Sequence, residues 1–205
     1  MRESRSPVKE QILEAATRLM RVRGYHRTAL DDVLRESGTG KGNFYHYFQS
    51  KEELGYAILD RLVHTFTVRT LDPIFGDVAL APLDQIRAFL EAILAVQRSR
   101  NCVGGCPMGN LATELADVHE GFRARLVQVF DLWRNRLAGA LARAQGEGAL
   151  TAGADPDALA RFLVAGLEGG ILLAKVQRDV RVLEVCVTEL RRHLELYRVG
   201  REVTA

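Results

Sequence analysis

The chain has 205 residues, 47% of them hydrophobic and 26% charged, which is the composition of a folded globular protein rather than a disordered one. No apolar run approaches the roughly 20 residues of a membrane span, and the first residues lack the apolar core of a signal peptide. Three cysteines are too few for a disulfide framework, so we expect a cytoplasmic protein with no membrane partner.

The formal net charge is only +2, but the charges are unevenly distributed. Residues 1–51 contain ten Lys and Arg against six Asp and Glu, and no acidic residue lies between Glu36 and Glu52. A basic excess confined to one part of the chain is expected if that part alone meets a polyanion. A mildly basic solvated surface would have the same charges, so both interpretations stay open at this point.

Three short helices are predicted in this basic part of the chain. Ser6 followed by Pro7 predicts the start of the first helix, and Gly24 predicts its end. Thr28, with Asp31 three residues later, has the pattern of a capping box and predicts the start of the second helix. A tight glycine-containing turn leads into the third, so the pattern is that of a helix-turn-helix.

Longer helices with broader apolar faces follow. A second capping box, Ser50 with Glu53, begins a helix that we expect to run to about Thr70, where Asp72-Pro73 breaks it. Further helices are predicted near residues 82–100, 106–117, 119–145, 155–177 and 179–198. No segment alternates as a strand would, so the predicted fold class is all-α.

The third predicted helix has two different sides. Phe44 and Phe48 lie about 40° apart on a helical wheel and define its buried side. A helix that enters the major groove of DNA needs small and hydrogen-bonding residues on its outer side. The opposite and flanking positions fit this requirement, and they are Lys41, Gly42, Asn43, Tyr45 and His46.

Two alternatives apply to the same stretch. The glycines of residues 38–42 suggest a phosphate-binding loop, but they lack the spacing of that motif and no strand precedes them. A helix-turn-helix used only for protein packing is the second alternative.

The stretch GYHRTALDDVLRESGTGKGNFYHYFQSKEEL, from Gly24 to Leu54, resembles the N-terminal domain of the TetR family of one-component transcriptional repressors. The run KGNFYHYF, followed by the lysine of SKEEL, is the most specific part of the match. The resemblance implies a helix-turn-helix DNA-binding domain over residues 1–51 and a helical effector-binding and dimerisation domain over residues 52–205. It also implies a double-stranded, palindromic DNA operator as partner.

The resemblance further implies which residues meet DNA. Thr28 and Lys51 are expected to hold phosphates from the starts of their helices. The other expected contacts lie in the recognition helix and its approach, and they are Thr39, Gly40, Lys41, Gly42, Asn43, Tyr45, His46 and Tyr47. Thr39-Gly40 stands where the family usually has a small apolar residue followed by serine, and the extra glycine loosens that turn.

The last two predicted helices are expected to form a dimer interface. One helix-turn-helix buries little surface, so such proteins usually pair and read two half-sites about one helical turn apart, or a multiple of that. By resemblance these helices form a four-helix bundle with a second copy, although the same apolar stripes would also suit an internal core. The expected interface residues are Leu163, Gly166, Leu167, Gly170, Leu183, Val187, Leu190 and Leu194.

A pocket for a small apolar or electrophilic effector is implied among the middle helices. Its candidate lining residues are mainly large apolar side chains, which would equally suit an ordinary core. They are Phe66, Phe89, Ile93, Cys106, Met108, Phe122, Phe130 and Trp133.

Cys106 is the most individual of these candidates. It precedes Pro107 at a predicted helix start, where the positive end of the helix dipole favours a thiolate. Residues 101–126 are similar to a segment of a TetR subgroup that responds to electrophiles and oxidants through a cysteine. A thiol sensor and a small packing residue are therefore the two alternatives. Cys102, Cys106 and His119 lack an evident fourth ligand, so no metal is expected.

The sequence contains no arrangement typical of an enzyme: we find no Ser/His/Asp pattern, no H-E-x-x-H and no phosphate loop. We therefore expect a ligand-responsive homodimeric regulator without a cofactor or catalytic residues. A repressor is the leading hypothesis. An activator or an architectural DNA-binding protein of the same fold would differ only in its promoter context.

Overall fold

The computed structural model describes residues 6–200. Its helices, in chain order, are α1 (Pro7–Arg23), α2 (Leu30–Ser37), α3 (Lys41–Tyr47), α4 (Lys51–Phe66), α5 (Asp72–Phe75), α6 (Pro82–Ser99), α7 (Pro107–Leu115), α8 (Glu120–Gly146), α9 (Pro156–Gln177) and α10 (Val180–Glu195). A π-helical segment, Thr67–Leu71, joins α4 to α5. Over this described part the only β pairing is an isolated bridge between Leu150 and Arg198, and the predicted all-α fold class is confirmed.

The first three helices pack through apolar residues at helical spacing. The buried side chains on α1 are Ile12, Leu13, Ala15, Ala16 and Met20. α2 adds Val33 and Leu34, and α3 adds Phe44, with Phe48 directly after it. Gly38 ends α2 with φ 65, a left-handed conformation that side chains rarely adopt, and so fixes the turn into α3.

The capping box predicted at the start of α4 is confirmed. The N–H of Glu53 donates to Ser50 Oγ at 3.1 Å, and the Glu53 carboxylate accepts the N–H of Gln49 at 2.6 Å. These two bonds satisfy backbone donors that a helix start otherwise leaves open.

The capping box predicted for Thr28 is wrong. α2 begins at Leu30 with Ala29 as its N-cap, and no side chain caps it. The Thr28 hydroxyl donates instead to the Gly24 carbonyl at 2.8 Å, and the residue is 1% exposed. Thr28 thus closes the turn between α1 and α2, because a threonine hydroxyl that donates to a nearby backbone carbonyl competes with a capping role.

The helix break predicted at Asp72-Pro73 is also wrong. The backbone stays helical through both residues and ends at Gly76. Proline cannot donate a hydrogen bond and crowds the preceding turn, and the chain accommodates it by widening that turn. The N–H of Asp72 donates to the Thr67 carbonyl, five residues back, which makes Thr67–Leu71 a π-helical segment.

α9 and α10 pack closely because two glycines of α9 face α10. A Cβ on Gly166 would lie 2.7 Å from Leu190 Cδ2, and one on Gly170 would lie 2.9 Å from Cys186 Cβ. α8 contributes a separate buried stripe, whose members are Leu126, Val129, Trp133, Leu137 and Leu141.

The described chain divides into two compact units. One contains the residues up to Thr65 together with Pro107–Ala124, and the other contains Phe66–Cys106 together with the chain from Arg125 onward. The predicted boundary between residues 51 and 52 separates a DNA-binding domain from an effector-binding and dimerisation domain, and it stays a prediction. None of the described helices combines the length and apolar character that a membrane span requires.

Candidate nucleic-acid interface

α3 has the two sides that the sequence predicted. Phe44 is fully buried and Phe48 is 2% exposed, so these rings anchor the helix inward. The opposite side faces solvent, and its exposed residues are Lys41, Gly42, Asn43, Tyr45 and His46. Because no carboxylate occurs in α3, this surface offers hydrogen-bond donors and acceptors without repelling a polyanion.

Gly40 and Gly42 are not required by the packing of the chain. In the described part of the chain, no neighbouring atom lies within 4 Å of the position that a Cβ would take at either residue. Neither glycine has a positive φ. If a glycine is required at either position, the reason is the close approach of a binding partner rather than the packing of this chain.

Lys41 pairs with an acidic residue of α2. Its Nζ lies 3.3 Å from Asp31 Oδ1, and both side chains are largely exposed. An exposed ion pair of this kind contributes about 0–1 kcal/mol, so it does not prevent the lysine from turning to a phosphate.

Three other predicted DNA contacts have partners within the chain. Tyr47 Oη is 2.6 Å from Ser6 Oγ, which ties the end of α3 to the start of α1. Thr39 Oγ1 is 2.7 Å from Ser37 Oγ. Thr28 is buried as described above, and its hydroxyl does not reach the surface.

Lys51 is held at the N-terminus of α4. Its Nζ donates to the His26 carbonyl at 3.3 Å and lies 4.5 Å from the centre of the Tyr25 ring. Burial lowers the pKa of Lys51, and the negative charge of Glu114 opposes that shift. The ammonium is thus fixed near a helix start, where anions are favoured.

The candidate effector residues are divided between the two compact units. Phe66, Phe89, Phe130 and Trp133 lie in one unit, with the Phe66 ring 5.2 Å from Trp133 and 6.3 Å from Phe89. Ile93 and Cys106 belong to the same unit and are buried.

The remaining two candidates, Met108 and Phe122, belong to the other unit. Phe122 is fully buried there against the rings of Tyr25 and Tyr56, at 5.2 and 4.6 Å. This position fits a packing role for Phe122, and its contact with an effector stays a prediction.

Buried polar atoms that were not predicted from the sequence lie in the compact unit that contains Phe66–Cys106 and the chain from Arg125 onward. Gln97 is 4% exposed, and its Nε2 donates to the Gly105 carbonyl at 3.5 Å. Within residues 6–200, Gln97 Oε1 and Trp133 Nε1 are buried without a hydrogen-bond partner. Burial raises the pKa of Glu168, and a hydrogen bond from the Cys106 thiol opposes part of that rise. A glutamate inside an apolar stretch of α9 is the signal that could have identified this residue.

The loop before α7 has an unusual backbone. Asn101, Cys102, Gly104 and Gly105 all have positive φ. The thiols of Cys102 and Cys106 are buried, at 1% and 8% exposed, and burial raises the pKa of Cys102. Cys106 directly precedes Pro107 and α7, as predicted. Among residues 6–200 no three His, Cys, Asp or Glu side chains are grouped as metal ligands.

The predicted interface residues on α9 and α10 are mostly buried within one chain. Leu163, Leu167, Leu183, Val187, Leu190 and Leu194 are all between 0% and 6% exposed. Gly166 and Gly170 serve the contact between the two helices. Within a single chain these positions pack between the two helices, and their part in a dimer interface stays a prediction.

A second apolar stripe on the same helices is exposed. On α9 it contains Phe162, Leu172, Leu173 and Val176, which are 46–72% exposed, and on α10 it contains Val185. A groove of about 450 Å³ runs beside Phe162 and Gly166. From α10 the groove is lined by Cys186, Glu189, Leu190, Arg192, His193 and, just past its end, Leu196.

A helix-turn-helix with a carboxylate-free recognition helix, followed in the chain by a set of longer helices, defines a one-component DNA-binding transcriptional regulator. Residues 12–58 match the family described as bacterial regulatory proteins, tetR family, and residues 82–190 match the tetracyclin repressor-like, C-terminal domain. The chain belongs to the TetR family of transcriptional regulators.

Similar proteins include the transcriptional regulator AcuR of Cereibacter sphaeroides, 35% identical over 82% of this chain and 76% of that protein. The transcriptional repressor DhaR of Mycobacterium sp. (strain GP1) is 28% identical over 90% of this chain and 91% of its own. A regulatory protein TetR from Rhodobacter sphaeroides has the same fold, with a TM-score of 0.84, 34% identity and coverage of 92% and 99%. The reduced form of Escherichia coli NemR has a TM-score of 0.83, 26% identity and coverage of 97% and 100%.

Proposed function

We propose that the protein is a homodimeric transcriptional repressor that binds a palindromic operator and is released from it by a small-molecule effector. The observation that carries this proposal is the exposed face of α3, which is anchored by Phe44 and Phe48 and has no carboxylate. The similarity to DhaR, a transcriptional repressor, supports repression over activation.

The exposed residues of α3 have different proposed roles. Asn43 and His46 are placed to read base edges, since amide and imidazole groups can donate and accept there. Lys41 and Tyr45 suit phosphates, and Gly42 allows close approach of the helix to the groove. Lys51 adds a phosphate contact from the start of α4. We assign Thr28 and Tyr47 a supporting role, because both hold other parts of the domain.

DNA binding is tested by gel shift on the DNA upstream of the protein's own gene, at several salt concentrations. Lys51→Ala should weaken binding to all sequences and reduce the slope of log affinity against log salt concentration by about one unit. Asn43→Ala should instead relax the preference for particular bases, with a loss of about 1–3 kcal/mol in the discrimination between them. Absence of any salt-sensitive, sequence-dependent shift would refute the proposal.

The effector is proposed to be a small molecule with an apolar body. The ring cluster of Phe66, Phe89 and Trp133 supplies apolar surface, and the open hydrogen-bonding capacity of Gln97 and Trp133 supports a polar group on the ligand. Effector binding releases DNA only if the effector has a higher affinity for the state in which the two recognition helices of the dimer are spaced unsuitably for the operator. Mass spectrometry of the protein purified under native conditions would reveal a retained ligand.

A thiol-based sensor is the second candidate mechanism. The Cys106 thiol donates a hydrogen bond to the Glu168 carboxylate, and Cys106 directly precedes the first residue of α7. The similarity to NemR is consistent with membership of a cysteine-responsive subgroup. Under this mechanism one stoichiometric modification by an electrophile abolishes DNA binding. If Cys106→Ser responds to the electrophile as the unaltered protein does, the thiol mechanism is wrong.

A further inference from the structure

Glu114, near the end of α7, binds the backbone of the turn between α1 and α2. Its Oε1 accepts the N–H of Tyr25 at 3.1 Å, and its Oε2 accepts the N–H of His26 at 3.0 Å. The Nε2 atom of His26 also lies 3.3 Å from the backbone oxygen of Glu114. All of these residues belong to the same compact unit. Hydrogen bonds to a carboxylate are roughly twice as strong as neutral ones, and two together fix orientation as well as distance.

The turn is shaped to receive this carboxylate. Gly24 ends α1 with φ 83, and a Cβ at this residue would lie 2.5 Å from Glu114 Oε1. A side chain at position 24 would therefore both strain the backbone and push Glu114 away. The N–H groups of the next two residues point to the carboxylate as a result.

The same turn holds Lys51. The ammonium donates to the carbonyl of His26 and lies over the ring of Tyr25, the two residues whose N–H groups Glu114 fixes. We propose that Glu114 is a positioning residue for DNA binding, which sets the place of Lys51 at the start of α4 through Tyr25 and His26; this inference rests on the proposed function, in which Lys51 contacts a phosphate. Because Glu114 lies on α7, a displacement of α7 would move this carboxylate and, through the turn, Lys51.

Glu114→Gln provides the first test, with DNA affinity measured by fluorescence anisotropy on the operator. The substitution removes a negative charge from the DNA-reading unit, so Coulomb's law alone would make binding tighter. The proposal requires the opposite, a loss of about tenfold, because a neutral amide replaces the two charge-assisted bonds. Glu36→Gln is the matched control: it removes an exposed acid that pairs with Arg18, and binding should stay equal or become slightly tighter.

A double substitution separates positioning from general damage. In the Lys51→Ala background, Glu114→Gln should weaken binding little further, because both act through the same ammonium. Additive losses, or a single variant that binds as tightly as the unaltered protein, would overturn the proposal. If Glu114→Gln fails to fold, Glu114→Asp replaces it: this keeps the charge and shortens the reach, and the same loss is expected.

NMR supplies a readout that does not depend on an operator. Lys51 Nζ lies over the Tyr25 ring, 4.5 Å from its centre, so we expect the ring current to shift the adjacent ε-methylene protons upfield. In Glu114→Gln they should move toward the usual lysine position, and the Tyr25 and His26 amide protons should exchange faster with solvent. Unchanged resonances at all three sites would show that Glu114 does not hold the turn.

Discussion

Gly42 lies on the exposed side of α3, although neither its backbone angle nor its neighbours within the chain require a glycine. Alanine is favoured over glycine in a helix by up to about 1 kcal/mol. A glycine retained at such a position is expected to serve a partner that approaches closely, and in this protein that partner is the proposed DNA groove.

We expect Gly42→Ala to stabilise the protein slightly and to weaken operator binding about fivefold or more, since each misplaced contact to a base costs about 1–3 kcal/mol. Urea unfolding and gel shift measure the two effects. Gly139→Ala is the matched control, because Gly139 is exposed on α8 and a Cβ there makes only an ordinary contact. It should give a similar gain in stability without loss of binding. Equal binding by both variants would contradict a role for Gly42 at the groove.

Glu168 leads to a prediction about pH. Burial raises the pKa of its carboxyl above the ordinary value of 4.5, so the folded protein retains this proton over a range where the unfolded chain has lost it. The contribution of Glu168 to the free energy of unfolding is complete at pH values below its pKa in the unfolded chain. It is lost as the pH rises through its pKa in the folded protein. Glu168→Gln removes this dependence and still accepts a hydrogen bond from Cys106. The melting temperature of Glu168→Gln minus that of the unaltered protein should therefore increase between about pH 5 and about pH 8. An equal difference at both pH values would contradict this.

At the level of helices, the sequence predicted the positions well where hydrophobic spacing and end signals agree. α1 begins at Pro7 and ends before Gly24, and α9 spans Pro156–Gln177, both as predicted. Errors occurred where two local forces compete. The side chain of Thr28 could cap α2 or close the preceding turn, and Pro73 could end a helix or widen it into a π turn.

The candidate site was less predictable than the fold. The outward face of α3 follows from the inward positions of Phe44 and Phe48, because both are set by one helical period. The partners of Lys51 and the carboxylate of Glu114 were not predictable, since Glu114 comes to the turn from a helix nearly 90 residues further along the chain. Spacing within a helix contains no information about such distant contacts.

The close packing of α9 on α10 can be tested at Gly170. A methyl group there would stand 2.9 Å from Cys186 Cβ and 3.0 Å from Leu183 Cδ1. Overpacking of this kind costs about 1–3 kcal/mol, which exceeds the helix propensity that alanine adds. Gly170→Ala should therefore lower the free energy of unfolding, measured in urea, whereas Gly139→Ala should raise it. A gain in stability by both variants would show that α10 can shift to accept the methyl group.

For the whole molecule, the main question is what covers the exposed stripe of α9 and α10. Phe162, Leu173 and Val176 lie on one side of α9 and expose 46–72% of their surface to water, and monomeric proteins usually avoid such a concentration of large apolar side chains. The groove beside it combines apolar residues with Glu189 and Arg192, which pair with each other within the chain at 2.6 Å and so leave little net charge to repel a second copy. This supports a second copy of the chain as the occupant. We therefore expect the outer stripe to take part in the interface, and the contribution of the residues named from the sequence stays a prediction.

Leu173→Glu tests this assignment. A two-fold interface repeats every contact, so one substitution places two carboxylates in it and should raise the dimer dissociation constant at least about 100-fold. Val127→Glu makes the same change at an exposed position on α8, where Val127 is 50% exposed, and should leave the dimer intact. Sedimentation equilibrium measures the assembly, and footprinting should show that only Leu173→Glu loses joint occupation of the two half-sites. Since the side chain of Leu173 is 49% exposed in the single chain, folding of the monomer should survive the change. A Leu173→Glu protein that sediments as the unaltered dimer would mean that the two copies meet on a different surface.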